Sequence, residues 1–422
     1  MNSIRKIYST YKRRIVITMT GIVRILLTWL SSFNRKFGRK KKIIKKRIAV
    51  YDPGFRGFGH NIYFNIHVLK LFSYIFEEVY YFDFDKIIKK EFRNAPRNVK
   101  IVQLPFIIND EKYSYKDLWE YIDSYKCDLV FLTSEERHDG KSKRLYTTPP
   151  GIPYIVLIHI VWQMLRRLNT FNKTEIVLKN ALALFVFEDY LMEPLVGKNT
   201  HIFRFPYFVF NDNFKVGGKK ENPRLKIGTI GFINERRNVD FILETLMNYS
   251  GEPLEYYLFG KPLGETGKKI EKMVMELSFP VNVKLSVRFD YLTDKEYRRI
   301  SKECDFILIA YDEKRRYQTP GVLYQFSNQN TTLIVPKIEP FVTIEKYYEN
   351  MFVFYDNLSS ISLNKLLSVL AKKGKEYKNF KKKAAVAREK FAAMNKEGIQ
   401  LKYLEDTMRV IIKKIGIKRR AK

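Results

Sequence analysis

Between residues 225 and 335, short apolar segments alternate with segments of helical periodicity, and this alternation constrains the fold more than any other feature. Four segments have the length and apolar content of buried strands: 225–231, 255–260, 283–289 and 305–310. Three segments between them have the pattern of helices: 239–249, 268–277 and 294–303. This order predicts βαβ units and a parallel sheet. Such sheets bind ligands at the carboxyl ends of their strands, which here carry Gly231, Gly260, Asp290 and Tyr311.

The first half of the chain contains a similar series of apolar segments, which predicts a second α/β domain. Its predicted strands are 46–51, 78–84, 128–134, 153–159, 182–187 and 201–205. A chain of 422 residues is long enough for two domains of ordinary size. We therefore expect two Rossmann-like α/β domains, at 46–215 and 222–374, joined by a polar, glycine-containing linker. A basic segment at 1–45 precedes them, and a basic C-terminal helix at 375–422 follows them.

The net charge of +32 is concentrated at the two ends of the chain. Residues 1–47 contain 15 Lys or Arg and no acidic residue, and residues 371–422 have a net charge of +13. This leaves only +4 for residues 48–370. A nucleic-acid-binding protein needs a basic face on its folded domain, so nucleic acid is not the expected partner, although the total charge keeps that alternative open.

The segment 15–33 is mostly apolar, and Thr20, Arg24 and Thr28 recur every four residues as one polar stripe. Basic residues flank it on both sides, which is unlike a signal peptide or a spanning helix. We expect an amphipathic helix that lies on an anionic membrane surface, with the protein peripheral on the cytoplasmic side. A helix packed on its own protein, or a disordered tail, remains the alternative.

The two cysteines, Cys127 and Cys304, are too few for a disulfide framework. Each stands before an aspartate and an apolar run. We therefore expect two buried free thiols at the beginning of equivalent strands in two similar domains, in a cytoplasmic protein.

Candidate site residues in the first domain lie in a glycine-rich loop and at one strand end. The loop contains Gly57 and Gly59, whose lack of a side chain permits close approach to a ligand, and His60 follows at the start of a helix. His159 ends the apolar run 154–159 and is expected to face the crevice, with a hydrogen-bonded core histidine as the alternative. Asp83 and Asp85 are interpreted as structural, and no metal site is expected.

Three segments of the second domain together resemble a known family: IGTIGFINERRNVDFILETL, YYLFGKPLGE and CDFILIAYDEKRRYQTPGVLYQFSNQNTTLIVP. In this order they resemble the nucleotide-sugar half of retaining GT-B glycosyltransferases of the group 1, or family 4, type. That family includes sucrose and lipopolysaccharide mannosyl transferases. The resemblance extends over residues 46–370 and is looser in the first half.

The resemblance implies a donor site at the turn after the first strand of the second domain. Gly231, Asn234 and Gly260 would bind the donor, and Arg236 and Arg237 would neutralise the charge of the departing diphosphate. Arg237 stands where the family has a lysine, whereas Phe232 replaces the family's arginine. An exposed basic turn is the alternative reading.

The resemblance also places donor contacts between residues 317 and 325. Many family members carry two glutamates here, at positions occupied by Tyr317 and Gln325 in this chain. Gln325 can still bind ribose hydroxyls, and Thr319, Gly321 and Val322 can hold phosphate. The missing acids leave a catalytically inactive GT-B scaffold as an alternative.

The implied activity is transfer of a sugar from a nucleotide-sugar donor to a glycan or a lipid-linked acceptor. His159, Arg236 and Arg237 are the candidate catalytic residues, and in the family a histidine at the position of His159 contacts the donor sugar. The family implies retention of the anomeric configuration, no cofactor and no metal ion. It also implies that the chain end crosses back onto the first domain.

Overall fold

The structure is a computed structural model that describes residues 43–53, 60–83, 87–105, 114–134, 149–159, 161, 178–199, 201–206, 223–292, 294–313, 321, 323 and 331–420. Several predicted features lie outside these residues: the segment 1–42, Gly57, Gly59, Asp85, Tyr317, Thr319, Val322 and Gln325. The chain forms two compact units. The first ends at Phe208 and is resumed at Lys396, and the second contains the residues between them.

The first unit is built on a seven-stranded sheet whose strands are all parallel. Its strands are β1 (Ile44–Tyr51), β2 (Phe76–Asp83), β3 (Val99–Gln103), β4 (Leu129–Leu132), β5 (Tyr154–Leu157), β6 (Ala183–Val186) and β7 (Ile202–Arg204). They lie in the order β3-β2-β1-β4-β5-β6-β7. Strands β1 to β3 extend the sheet to one side, and strands β4 to β7 extend it to the other side. This is a doubly wound arrangement.

The described helices of the first unit before residue 208 are α1 (His60–Ser73), α2 (Ile87–Glu91) and α3 (Tyr115–Asp123), with short 3₁₀ helices at Asp189–Leu191 and Glu193–Leu195. Strands β4, β5 and β6 are buried along their whole length, as expected for a parallel sheet covered on both faces. Phe64, Phe72, Phe131 and Phe205 pack edge to face or tilted in this core.

The second unit contains a six-stranded sheet, also parallel throughout. Its strands are β8 (Leu225–Ile230), β9 (Leu254–Phe259), β10 (Val283–Arg288), β11 (Phe306–Leu308), β12 (Thr332–Pro336) and β13 (Phe352–Tyr355). The described helices are α4 (Val239–Met247), α5 (Gly264–Glu276), α6 (Asp294–Glu303), α7 (Phe341–Tyr347), α8 (Ser360–Ala371) and α9 (Lys375–Met394). The strand order, β10-β9-β8-β11-β12-β13, is again doubly wound.

The final helix, α10 (Glu397–Arg420), belongs to the first unit. Leu404, Met408 and Ile411 recur at helical spacing and are buried in the core that α1 and the sheet form. Beside them, Lys70 of α1 pairs with Glu397 at 3.1 Å. The chain therefore returns to the first unit, as the family resemblance implies, and the expected C-terminal helix is two helices, α9 and α10.

The two cysteines begin equivalent strands, as the sequence predicts. Both thiols are buried and free, and each lies just before the fourth strand of its sheet. In both units the following aspartate fixes the start of the first strand. Asp128 accepts a hydrogen bond from the backbone N–H of Arg47 at 3.0 Å, and Asp305 accepts one from that of Lys226 at 2.9 Å.

None of the helices in the described part of the chain is long and apolar enough to cross a membrane.

Candidate functional site

The carboxyl edge of the second sheet brings together three of the predicted donor residues, Gly231, Asn234 and Gly260. Strands β8 and β11 are neighbours, yet the chain leaves β8 toward β9 and leaves β11 toward β12. This divergence creates a topological switch point, where doubly wound sheets bind ligands. Gly231 follows β8, and Tyr311 lies just beyond the end of β11.

Two glycines allow the turns that follow β8 and β9 to contact each other. Gly231 has φ +109° and Gly260 has φ +152°, conformations that favour glycine. A Cβ built on Gly260 would lie 1.8 Å from the carbonyl oxygen of Gly231. The two turns are therefore in direct contact, and no other residue type fits at position 260.

The turn after Gly231 is also held to the turn after Gly260 by backbone hydrogen bonds. Ile233 donates its N–H to Lys261 at 3.0 Å, and Leu263 donates its N–H to Ile233 at 2.8 Å. These bonds continue the pairing of β8 with β9 beyond the ends of the strands, so the two turns are held together.

The basic turn 234–238 is a single 3₁₀ turn, Glu235–Arg237, capped at both ends by asparagine. The Asn234 side chain accepts a hydrogen bond from the N–H of Arg236 at 3.0 Å, which is a normal N-cap. Asn238 adopts a left-handed conformation with φ +42°, and its side-chain amide donates to the carbonyl of Ala310 at 2.6 Å. This bond joins the basic turn to the chain leaving β11 and fixes where Arg237 lies.

Arg237 is the central side chain of the site. Its guanidinium carbon lies 6.0 Å from the centroid of the Tyr311 ring, and its Nη2 lies 3.1 Å from the position of a Cβ on Gly231. Its Nη1 is buried and has no hydrogen-bond partner among the residues that the structure describes. Leaving a buried donor of a charged group unpaired costs about 1–3 kcal/mol or more, which a bound anion would offset.

Another described arginine at this edge, Arg288 at the end of β10, is already paired with acids. It donates to Asp290 at 3.2 Å and to Glu296 at 2.7 Å, and these bonds raise the pKa of Arg288. Arg288 therefore has no comparable unpaired charge for an anion, in contrast to Arg237.

Sequence reasoning missed Asp312, which lies four residues beyond β11. Its Oδ1 is buried and accepts no hydrogen bond from any residue in the described part of the chain. One signal could have identified it. Asp312 is an acid that comes shortly after β11, a fully buried strand at the switch point.

In the first unit, His159 lies just beyond β5 and is half-buried. Its Nε2 lies 2.6 Å from the carbonyl oxygen of Thr133. A carbonyl only accepts, so this bond requires the proton on Nε2. The ring packs edge to face against Phe64 and Phe187, with centroid separations of 5.2 and 4.8 Å. His159 is therefore a held side chain at the expected strand end.

Asp52 follows β1 at the corresponding switch point of the first unit and is 4% exposed. Its carboxylate accepts hydrogen bonds from the Asn65 amide at 2.7 Å and from the Ser134 hydroxyl. These contacts connect the end of β1 to α1 and to the residues that follow β4.

The remaining predicted residues have simpler placements. His60 is the first residue of α1, and Gly321 is half-buried in helical backbone. Asp83 ends β2 as a buried side chain. No group of three or more His, Cys, Asp or Glu suited to metal binding occurs among the residues described.

No protein-family model matches the sequence, and no curated protein matches it. Solved structures do match the fold. A glycosyltransferase from Rickettsia africae ESF-5 superposes with a TM-score of 0.61 at 12% identity, over 88% of this chain and 100% of that chain.

Two further solved structures are similar at the same level. Sucrose-phosphate synthase from Thermosynechococcus elongatus superposes with a TM-score of 0.58 at 13% identity, over 87% of this chain and 99% of that chain. TarM from S. aureus, in complex with fondaparinux, alpha-GlcNAc-glycerol and UDP, gives 0.58 at 12% identity, over 86% and 99%. At these identities the similarity establishes the fold: two doubly wound α/β units of the GT-B type.

Proposed function

We propose that this chain is a glycosyltransferase that moves a sugar from a nucleotide-sugar donor to a glycan or a lipid-linked acceptor. The observation that carries the proposal is Arg237, whose buried Nη1 is unpaired among the described residues at the switch point of a GT-B fold. The contact between Gly231 and Gly260 supports the same proposal, because it holds in place the turn that leads to Arg237.

In the proposed reaction, the nucleoside diphosphate is the leaving group and gains negative charge as the glycosidic bond to it breaks. Arg237 would hold the diphosphate and stabilise that charge, and a cation fixed in advance needs no reorganisation during the reaction. Arg236, whose backbone is fixed by the Asn234 cap, would add a second positive charge at the same turn. We propose that these cations suffice without a metal ion and that the reaction proceeds with retention.

We propose that His159 contacts the donor sugar or the acceptor from the first unit. Its bond from Nε2 to the Thr133 carbonyl holds the ring at the end of β5, which supports a positioned contact with substrate. The asparagine and serine bonds to Asp52 support the view that the adjoining loop, with Gly57, Gly59 and His60, serves the acceptor.

We propose that residues 1–45 attach the protein to an anionic membrane surface on the cytoplasmic side, which is where a lipid-linked acceptor would be met. The fifteen basic residues of 1–47 and the near neutrality of 48–370 support this assignment.

The test begins with a thermal-shift screen of the full chain against UDP, GDP, CDP and ADP and their common sugar conjugates. The TarM complex with UDP makes UDP and UDP-sugars the first probes. A ligand present at a hundred times its dissociation constant stabilises the protein by about 2.7 kcal/mol, which is readily measured. Release of nucleoside diphosphate from the bound conjugate then tests for turnover, with EDTA present in a parallel assay.

Arg237→Ala should weaken binding of the nucleoside diphosphate by roughly 10- to 100-fold, because a hydrogen bond to a charged group contributes about 1.5–3 kcal/mol. The matched control is Arg299→Ala, since Arg299 is an exposed arginine of the same unit that pairs with Glu303. Equal affinities of the two variants would remove Arg237 from the site. Binding of a nucleotide sugar without any turnover, with EDTA or with added Mg²⁺, would favour the inactive scaffold.

A further inference from the structure

The chain leaving β11 places a second charged group at the switch point, and the sequence analysis gave this group no role although it lies in the third segment that resembles the family. Asp312 follows Tyr311, the residue whose ring lies beside the Arg237 guanidinium. Oδ1 of Asp312 is excluded from solvent and has no hydrogen-bond partner among the described residues. No ion pair joins Asp312 to Arg237, although both side chains have a buried polar atom without a partner.

The other described acids that follow strands at this edge have ordinary environments. Asp290, after β10, is exposed and is bonded to Arg288. Asp356, after β13, is exposed to solvent. Burying an acceptor of a charged group without a donor is unfavourable, so the arrangement at Asp312 is explained if a ligand supplies the donor.

The chemistry of a carboxylate limits which part of a ligand this can be. An ionised carboxylate only accepts hydrogen bonds, and a diphosphate also only accepts and repels it. The donor must therefore be a hydroxyl or N–H group next to the diphosphate that Arg237 would bind. In a nucleotide sugar, the groups of this kind on either side of the diphosphate are the hydroxyls of the ribose and those of the transferred sugar.

We infer that Asp312 is a specificity-determining residue that accepts hydrogen bonds from hydroxyl groups of the nucleotide-sugar donor. The inference rests on the proposed function and extends it to a residue outside the predicted donor-binding set. Arg237 would then select the diphosphate, and Asp312 would select a sugar hydroxyl beside it. A donor that lacks the hydroxyl would leave the carboxylate unpaired and bind more weakly.

The experiment compares the wild-type chain, Asp312→Asn and Glu313→Gln by calorimetric titration with UDP, UDP-glucose, UDP-N-acetylglucosamine, GDP and GDP-mannose. Asp312→Asn preserves the size of the side chain and removes its charge. Glu313→Gln makes the same change of charge one residue later, at an exposed position. We expect Asp312→Asn to weaken binding of the preferred nucleotide sugar by about 10- to 100-fold, and Glu313→Gln to change it by less than about twofold.

The free diphosphate identifies which hydroxyl is recognised. An equal loss for the diphosphate and its sugar conjugate assigns Asp312 to the ribose. A loss confined to the conjugate assigns it to the transferred sugar. The melting temperature of the ligand-free Asp312→Asn variant should stay the same or rise, because a buried charge without a partner is removed.

Three outcomes would overturn the inference. Unchanged affinity of Asp312→Asn in a chain that binds a nucleotide sugar normally would exclude Asp312 alone. A fall in melting temperature with unchanged affinity would show that the carboxylate stabilises the fold. Absence of binding by the wild-type chain to every nucleotide in the thermal-shift screen would overturn the proposed function and this inference together.

Discussion

The contact between Gly260 and Gly231 gives a sharp test of how the site edge is built. In Gly260→Ala, the new methyl group would lie 1.8 Å from the Gly231 carbonyl oxygen and 2.6 Å from its carbonyl carbon. Both atoms are backbone, so no side-chain rotation can relieve the overlap. The turn at residue 231 and the turn at residue 260 must therefore separate. This separation displaces the backbone between Gly231 and Arg237.

The chain offers a matched control at Gly264. This glycine also has a positive φ, +65°, but a Cβ on it would meet nothing within 4 Å. Gly264→Ala should therefore lower the free energy of unfolding by only the backbone strain, about 1–2 kcal/mol. Gly260→Ala adds the overlap, which costs about 1–3 kcal/mol in a packed site, for a total of about 2–5 kcal/mol.

Urea unfolding followed by two signals can assign the effect to one unit. All three tryptophans, Trp29, Trp119 and Trp162, precede residue 208, so none of them belongs to the second unit, and Trp119 is buried in the first. Tryptophan fluorescence therefore does not follow the second unit, whereas far-UV circular dichroism reports on both. We expect Gly260→Ala to shift the dichroism transition to lower urea, to leave the fluorescence transition in place and to lower nucleotide affinity. Equal destabilisation by Gly260→Ala and Gly264→Ala would refute the argument that the two turns are in close contact.

Three further outcomes are expected. Burial lowers the pKa of His67, a residue of α1 that contacts Gln400 of α10, to about 3 from the ordinary 6.5, so the unfolded chain binds a proton that the folded chain does not. Stability should then fall by up to about 1.4 kcal/mol per pH unit between pH 6.5 and 3, and calorimetric scans should show a shallower decline in His67→Gln. Asp305 is 4% exposed and binds three half-buried partners, the N–H of Lys226, the Lys373 ammonium and the Tyr377 hydroxyl. Asp305→Ala should therefore lower the free energy of unfolding by about 3–5 kcal/mol in urea titrations. Asp128→Ala, whose partner Lys46 is 37% exposed, should lower it by about 1 kcal/mol, and the reverse order would contradict this interpretation. A chain shortened to begin at Lys46 should still bind nucleotide but lose most of its co-sedimentation with anionic vesicles, and equal binding by the full and shortened chains would exclude residues 1–45 as the membrane attachment.

Local sequence determined the secondary structure wherever an apolar run was both short and continuous. The predicted strands at 225–231, 255–260, 283–289 and 305–310 all occur. The side chains of β8 and β11 are almost all buried, as in the interior of a parallel sheet, whereas those of β9 and β10 are buried less completely. The repeated Cys-Asp followed by an apolar run identified equivalent strands in the two units for the same local reason. Strand β3 was missed because polar residues interrupt its apolar positions. Helix α3 was missed although its buried residues recur at helical spacing, a pattern that could have identified it.

The position of the site edge also followed from the sequence, because the strand–helix order fixes which residues stand at the carboxyl ends of the strands. Gly231, Gly260 and Arg237 meet there as the resemblance implied, and His159 lies at its predicted strand end.

Only the tertiary structure decided what each of these side chains does. Arg236 and Arg237 are adjacent in the sequence, yet the structure shows a buried, unpaired nitrogen on Arg237 among the described residues. Three features depend on segments far apart in the chain: the burial of Oδ1 of Asp312, the bond from His159 to Thr133 and the return of α10 to the first unit. The physical reason is that periodicity encodes how much of a residue is buried, whereas its partners are set by strand order and by packing between elements that the local pattern does not specify.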